Sequence, residues 1–154
     1  MSKAFTISVC GSQATPELAD ELDHAADFLK NSGIIPLAPP NLPGNTPYEG
    51  LSEREIFSKK GLFMADHYEK IKKSDALLVI NGPKNGIEGY IGGATLLEMG
   101  IAFHYKIPIF ILHPYPRSLP YFFEIAGMQP SCLDGNITRI LSYFPAIAPE
   151  KLPV

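Results

Sequence analysis

The sequence predicts an α/β protein, a Rossmann-like (flavodoxin-like) three-layer sandwich built on a mostly parallel sheet of four to five strands. Three observations lead there. Residues 76–80, Ala-Leu-Leu-Val-Ile, are apolar without alternation, the pattern of a strand covered on both faces. Short apolar stretches alternate along the chain with segments of helical period, the element order of a wound parallel sheet. After residue 80 comes a glycine-dense loop leading into a helix, at a strand's carboxyl end, where open α/β sheets border their ligand crevices.

The totals set outer limits. At 154 residues, 45% hydrophobic and 10% aromatic, the chain is long enough to bury a core, and a single soluble domain over 1–154 is expected. A net charge of -3 speaks against a nucleic-acid-binding surface, and the pairs Lys59-Lys60 and Lys72-Lys73 read as solvated helix faces. No apolar run approaches membrane-spanning length and the N-terminus does not resemble a signal peptide, so a cytoplasmic protein without a membrane partner is expected. Cys10 and Cys132 lack metal-ligand spacing and make no disulfide framework; no metal or cofactor is implied.

The first strand covers residues 5–9 and ends in the small turn Cys10-Gly11-Ser12. Thr15 and Pro16 open a helix as N-cap and first helical residue, with Leu18, Leu22, Ala25, Ala26 and Leu29 on its apolar side and Gly33 as its stop. A strand, small turn and helix start in this order suit an anionic group. The turn is not GxGxxG and no acidic residue closes the next strand, which argues against a dinucleotide site. Ile34, Ile35 and Leu37 form a second strand. The Pro- and Gly-rich stretch 41–50 is a loop and a candidate substrate lid. A second helix follows over 51–73, with Gly61 as a candidate break, Ile56, Phe63, Met64, Tyr68 and Ile71 on its apolar side, and Asp66 and His67 as a polar pair beside that stripe.

Beyond the third strand, Asn81, Gly82, Gly86, Gly89, Gly92 and Gly93 make a loop whose backbone can approach a ligand closely. Thr95-Leu96-Leu97-Glu98 spells a capping box, which would put Glu98 in the first helical turn, where free amides favour its charged form. That helix runs to His104. Residues 107–112 make a fourth strand, with Pro108 at an edge or at its start, and His113 follows at its carboxyl end, a better site candidate than His24 or His104. Tyr121-Phe122-Phe123 is an aromatic run, residues 134–143 read as a last helix with Asp134 near its N-cap, and 145–154 as an irregular tail.

These residues carry a family resemblance. Val9-Cys10-Gly11-Ser12, Ser74-Asp75-Ala76-Leu77-Leu78-Val79 and Gly92-Gly93-Ala94-Thr95-Leu96-Leu97-Glu98-Met99-Gly100 resemble the nucleoside 2-deoxyribosyltransferase superfamily, which includes deoxynucleoside 5′-monophosphate N-glycosidases. The resemblance covers roughly residues 5–112. It implies that Glu98 is the nucleophile that traps the anomeric carbon of a nucleoside or nucleotide as a covalent glycosyl intermediate. His67, Asn81 or His113 would support the departing base. Cys10, Gly11, Ser12, Gly89, Gly92, Gly93, Thr95 and His113 would bind substrate, with Ser12 at a 5′-phosphate or 5′-hydroxyl. It also implies a homo-oligomer, for which Tyr121 to Phe123 is a candidate contact.

The chain departs from the family pattern at three places. Ser8 replaces a first-strand tyrosine that positions the glutamate, Gly92 replaces an aspartate or serine six residues before it, and His67 stands where an acidic residue is usual. Two other readings stay open. A phosphoribohydrolase of the cytokinin-activating type has a P-G-G-x-G-T-x-x-E loop similar to 92–98, and a non-catalytic nucleotide-binding module would keep Glu98 as a cap.

Overall fold

The computed structural model describes residues 4–39 and 48–144. Its sheet has five strands, all parallel: β1 Thr6–Gly11, β2 Ile35–Leu37, β3 Ala76–Ile80, β4 Ile109–Ile111 and β5 Ser131–Cys132, in the order β2-β1-β3-β4-β5. That order reverses between β1 and β3, which places the crevice at the carboxyl ends of these two strands. Their register brings Gly11 beside Ile80. A Cβ at Gly11 would stand 2.4 Å from the Ile80 carbonyl oxygen, so no larger residue fits there.

Helices cover both faces. Ile7, Val9, Ala76, Leu78, Ile80 and Phe110 pack against α1 (Pro16–Asn31) and the 3-10 helix Ile137–Tyr143. Cys10, Leu77, Val79, Ile109 and Ile111 turn the other way, against α2 (Glu53–Lys72), α3 (Gly93–His104) and α4 (Phe122–Gly127). This two-residue alternation explains why β3 is apolar throughout, since all five of its residues are buried between helices. Each fully buried Leu or Ile contributes roughly 1.5–3 kcal/mol.

Local signals set most helix starts. Thr15 accepts from the Leu18 amide at 3.2 Å with Pro16 next in line, as expected. Ser52 and Glu55 cap α2 reciprocally, at 2.9 and 3.2 Å. That helix runs unbroken through Gly61, where a Cβ would meet nothing within 4 Å, so the glycine weakens the helix without ending it. Among the described residues no helix is long and apolar enough to cross a membrane.

The structure corrects or sharpens the local expectations at four places. α3 begins at Gly93 with Gly92 as N-cap and no side-chain cap bond, so Thr95 is not a cap and is instead buried. Its extended N-cap lets the chain turn helical three residues earlier than the Thr95 signature suggests. β4 pairs with both β3 and β5, and Pro108 precedes it, which resolves the choice in favour of strand entry. The segment after Asp134 is a 3-10 helix capped by Asn136, because Asp134 and Gly135 both take positive φ, at 51° and 79°. The region around 121–132 holds a short helix and a strand that its apolar pattern does not announce. Within the aromatic run, Tyr121 donates to the Ile91 carbonyl, Phe122 stacks on Tyr115, and Phe123 is exposed. Most of the candidate lid, and the tail 145–154, lie outside the described residues.

Candidate active site

Three elements meet at the carboxyl end of β1. The strand delivers Cys10 and Gly11, α2 contributes Lys60, Phe63, Met64, His67 and Tyr68, and α3 contributes Ala94, Thr95, Leu97 and Glu98. Together with Gln13, Pro39 and Tyr48 they enclose a cleft of about 360 Å³, within the range of small-molecule sites. His67 is the most closely engaged with Glu98, its Nε2 standing 3.8 Å from Glu98 Oε1. Lys60 and Met64 sit on the same side of α2 as His67 by the seven- and three-residue spacing of a helix.

Glu98 lies in the second turn of α3, where the amides already bond to helix carbonyls. The stabilisation expected from a first-turn position is therefore absent, and burial decides its charge. Desolvation pushes the carboxyl up to about 7, against the opposing pull of the Cys10 thiol and the Lys60 ammonium. This overturns the expectation of a carboxylate held in its charged form. Cys10 is fully enclosed, and burial followed by the Glu98 charge raises its thiol well above its ordinary range, so it faces Glu98 as a protonated donor. Tyr68 is raised for the same two reasons.

His67 is 7% exposed, and among the described residues neither ring nitrogen has a hydrogen-bond partner. Buried polar atoms of this kind are rare in native proteins. Burial lowers its pKa, with the Lys70 charge adding to the shift and Asp66 opposing it, so the imidazole favours its neutral form. Asp66 itself is exposed and pairs with Lys70 at 3.1 Å, away from the cleft. Ser8 does not reach Glu98: its hydroxyl lies 2.6 Å from Ser74 Oγ, which in turn donates to the Lys70 carbonyl. The first-strand side chain beside Glu98 is Cys10, two residues further on.

Not every predicted residue converges here. Cys10, Gly11, Thr95, His67 and Glu98 line the cleft, while Ser12, Gly92 and Gly93 line a smaller cavity that shares Gly11, Ala94 and Thr95 with it. Asn81 lies elsewhere. It is 2% exposed and binds backbone only, donating to the Gly89 and His113 carbonyls at 3.3 and 2.8 Å and accepting from the His113 amide at 2.9 Å. Gly89 is packed against Pro114, and the His113 ring turns to Glu21 on α1, 3.5 Å away. None of these three lines the cleft that holds Glu98. Lys60, read in the sequence as part of a solvated helix face, lines the cleft instead, as its seven-residue spacing from His67 allows, and Lys84, just before the Asn85-Gly86 turn signature, went unnoticed. Among the described residues, no cluster of three or more His, Cys, Asp or Glu is placed to hold a metal ion.

The fold has known counterparts. The chain is similar to the 2-deoxyribosyltransferase of the psychrotolerant bacterium Bacillus psychrosaccharolyticus, described as a biocatalyst for nucleoside synthesis. The TM-score is 0.66 at 16% identity, over 92% of this chain and 95% of that one. It is also similar to a conserved protein from Enterococcus faecalis V583, with a TM-score of 0.54 at 16% identity over 94% and 99% of the two chains. No protein-family model matches the sequence, and no curated protein does. The chain thus has the fold of a 2-deoxyribosyltransferase, the architecture that the sequence resemblance implied.

Proposed function

We propose that this protein cleaves or transfers the N-glycosidic bond of a nucleoside or nucleotide, with Glu98 as the nucleophile and His67 as the acid for the departing base. One observation carries the reading: a buried imidazole with no hydrogen-bond partner among the described residues faces a largely enclosed carboxyl inside a cleft of substrate size. The likeness in fold to a 2-deoxyribosyltransferase supports it.

The mechanism follows from how the pair holds protons. Burial makes Glu98 favour its acid form and His67 its neutral form, so near neutral pH the two share a single proton. Moving that proton from Glu98 to His67 creates the carboxylate and the imidazolium together. A Glu98 oxygen then attacks C1′ as the C1′–N bond breaks, the bonding electrons leave with the base, and the His67 proton follows them. The result is a glycosyl ester on Glu98, a free base and a neutral His67. Attack on C1′ by water or by the nitrogen of a second base returns the carboxylate, and the proton that nucleophile loses goes back to His67. The Cys10 thiol and the Lys60 ammonium offset negative charge on Glu98 throughout.

Purified protein is incubated with nucleosides and their 5′-monophosphates, ribo and deoxy, with and without a free acceptor base, beside Glu98→Ala. Base release or exchange that disappears in the variant supports the reading. If no member of the panel is turned over and some nucleotide binds both proteins equally, a non-catalytic binding module replaces it.

A further inference from the structure

Lys60 stands two helical turns from His67 along the α2 wall of the cleft. Lys60, Met64 and His67 share one face of that helix, at helical spacings of four and three residues. About 10.5 Å of helix axis therefore separates Lys60 from His67. Phe63 and Met64 fill the interval, and both line the cleft. A flat ring system with a hydrogen bond at each edge fits such a span, and an aromatic ring and a thioether suit its faces.

The charge on this lysine is uncommitted. Its neighbours on α2 are engaged: Lys59 lies 5.8 Å from the centre of the Phe63 ring, and Lys70 pairs with Asp66 at 3.1 Å. Among the described residues the Lys60 ammonium makes no hydrogen bond, ion pair or ring contact. It acts on the Glu98 carboxyl only at a distance, through its field. His67 favours its neutral form, so Lys60 and Glu98 are the two groups lining the cleft that carry a full charge near neutral pH. An ammonium gives hydrogen bonds and accepts none. Glu98, the one carboxyl there, is committed to C1′, and Gln13, Tyr48, Tyr68 and Thr95 can both give and accept. Lys60 therefore sets the preference of the cleft, toward an acceptor.

Bond cleavage moves charge along the same stripe. Once Glu98 has become an ester it is neutral, and the electron pair of the C1′–N bond lies on the base until the His67 proton arrives. In a 6-oxopurine that negative charge spreads to the exocyclic oxygen, where an ammonium stabilises it. A 6-aminopurine turns N–H groups to the same place, donor against donor. We infer that Lys60 selects the departing base by donating to its exocyclic carbonyl, so that 6-oxopurine nucleosides are preferred over 6-aminopurine ones. The inference rests on the glycosyl chemistry proposed above and names the base which that chemistry releases. Lys60 keeps its proton throughout, and His67 alone supplies the one the base takes up.

The test measures kcat/KM for matched 6-oxopurine and 6-aminopurine substrates, as nucleosides and as 5′-monophosphates, in the wild type and in Lys60→Met. Lys60 is exposed, and thermal melts establish that the variant folds. The wild type should favour the oxopurine by about tenfold or more, as expected of a hydrogen bond from a charged donor, and Lys60→Met should bring that ratio toward one. A wild-type ratio near or below one, or a variant that lowers both purines equally, overturns the inference and leaves the glycosyl reading standing. So does turnover confined to pyrimidines. If nothing is cleaved, the glycosyl reading fails, and calorimetric binding of hypoxanthine and adenine then decides the base site alone. Hypoxanthine binding that exceeds adenine binding and is lost in Lys60→Met supports the site. Equal binding, no binding, or binding that ignores Lys60 overturns it.

Discussion

His67 Nε2 stands 3.8 Å from Glu98 Oε1 across the seam between α2 and α3. Each group comes from a separate helix, and each is pushed by burial toward its uncharged form. A pair poised in this way holds its proton loosely, which makes the site sensitive to pH near neutrality.

The pH profile is the sharpest consequence. With one proton on the pair as the working state, kcat should be bell-shaped, its alkaline limb near the Glu98 value of about 7 and its acid limb below the ordinary 6.5 of histidine. In His67→Gln the acid is gone and only an ionised Glu98 matters. The rate should be lower throughout and should rise through pH 7 to a plateau, reversing the wild-type trend. Two superimposable profiles would remove His67 from the chemistry.

Stability should carry the same signature. The folded-state pKa of Glu98 is raised from 4.5 to about 7, so the folded protein binds more protons than the unfolded chain within that window. The contribution of Glu98 is therefore fully present below pH 4.5 and is lost as pH rises to about 7. The loss is on the order of 3 kcal/mol. Glu98→Gln should flatten this slope and melt higher than the wild type at pH 8, measured by urea titration at pH 5 and pH 8.

Asn81 is expected to matter for folding. Replacing it with Leu strands two carbonyls and one amide in a buried loop, a loss of about 2–4 kcal/mol. The urea midpoint should drop accordingly. A variant of unchanged stability that no longer turns substrate over would instead place Asn81 in the chemistry.

Two glycines should respond in opposite senses. Gly89 has φ +69° and a Cβ would lie 2.0 Å from the Pro114 carbonyl oxygen, so Gly89→Ala should destabilise by about 2 kcal/mol or more. Gly61 is exposed within α2 with nothing near it, and Gly61→Ala should stabilise by roughly 0.5–1 kcal/mol. Thermal melts of the two variants compare them directly.

Much of the architecture was legible because it rests on local pattern. The unbroken apolar run of β3, the Thr15-Pro16 start of α1 and the glycine loop between β3 and α3 each announce themselves within a few residues. The region after residue 112 was less readable. β5 is two residues long and exists only through its pairing with β4, and the positive φ at Asp134 breaks what reads as one continuous helix. In the site, Glu98 was visible from its motif and His67 only as a polar interruption of an apolar stripe. Asn81 and His113 belong to the same strand-end layer as Glu98, which made them natural candidates. Asn81 instead bonds loop backbone, and the His113 ring turns to Glu21 on α1.

By itself, the sequence determined the parallel α/β architecture, the loop that carries the site and the carboxyl at its centre, because apolar period, glycine density and cap residues act over short distances. Tertiary structure decided which of the nearby polar groups meet. Packing α2 against α3 brings His67 to Glu98 and buries both, and that burial sets their proton affinities in a way that no neighbour in sequence could. The same packing leaves two cavities joined at Thr95, since the volume between elements depends on how helices seat on the sheet and not on the residues of any one of them.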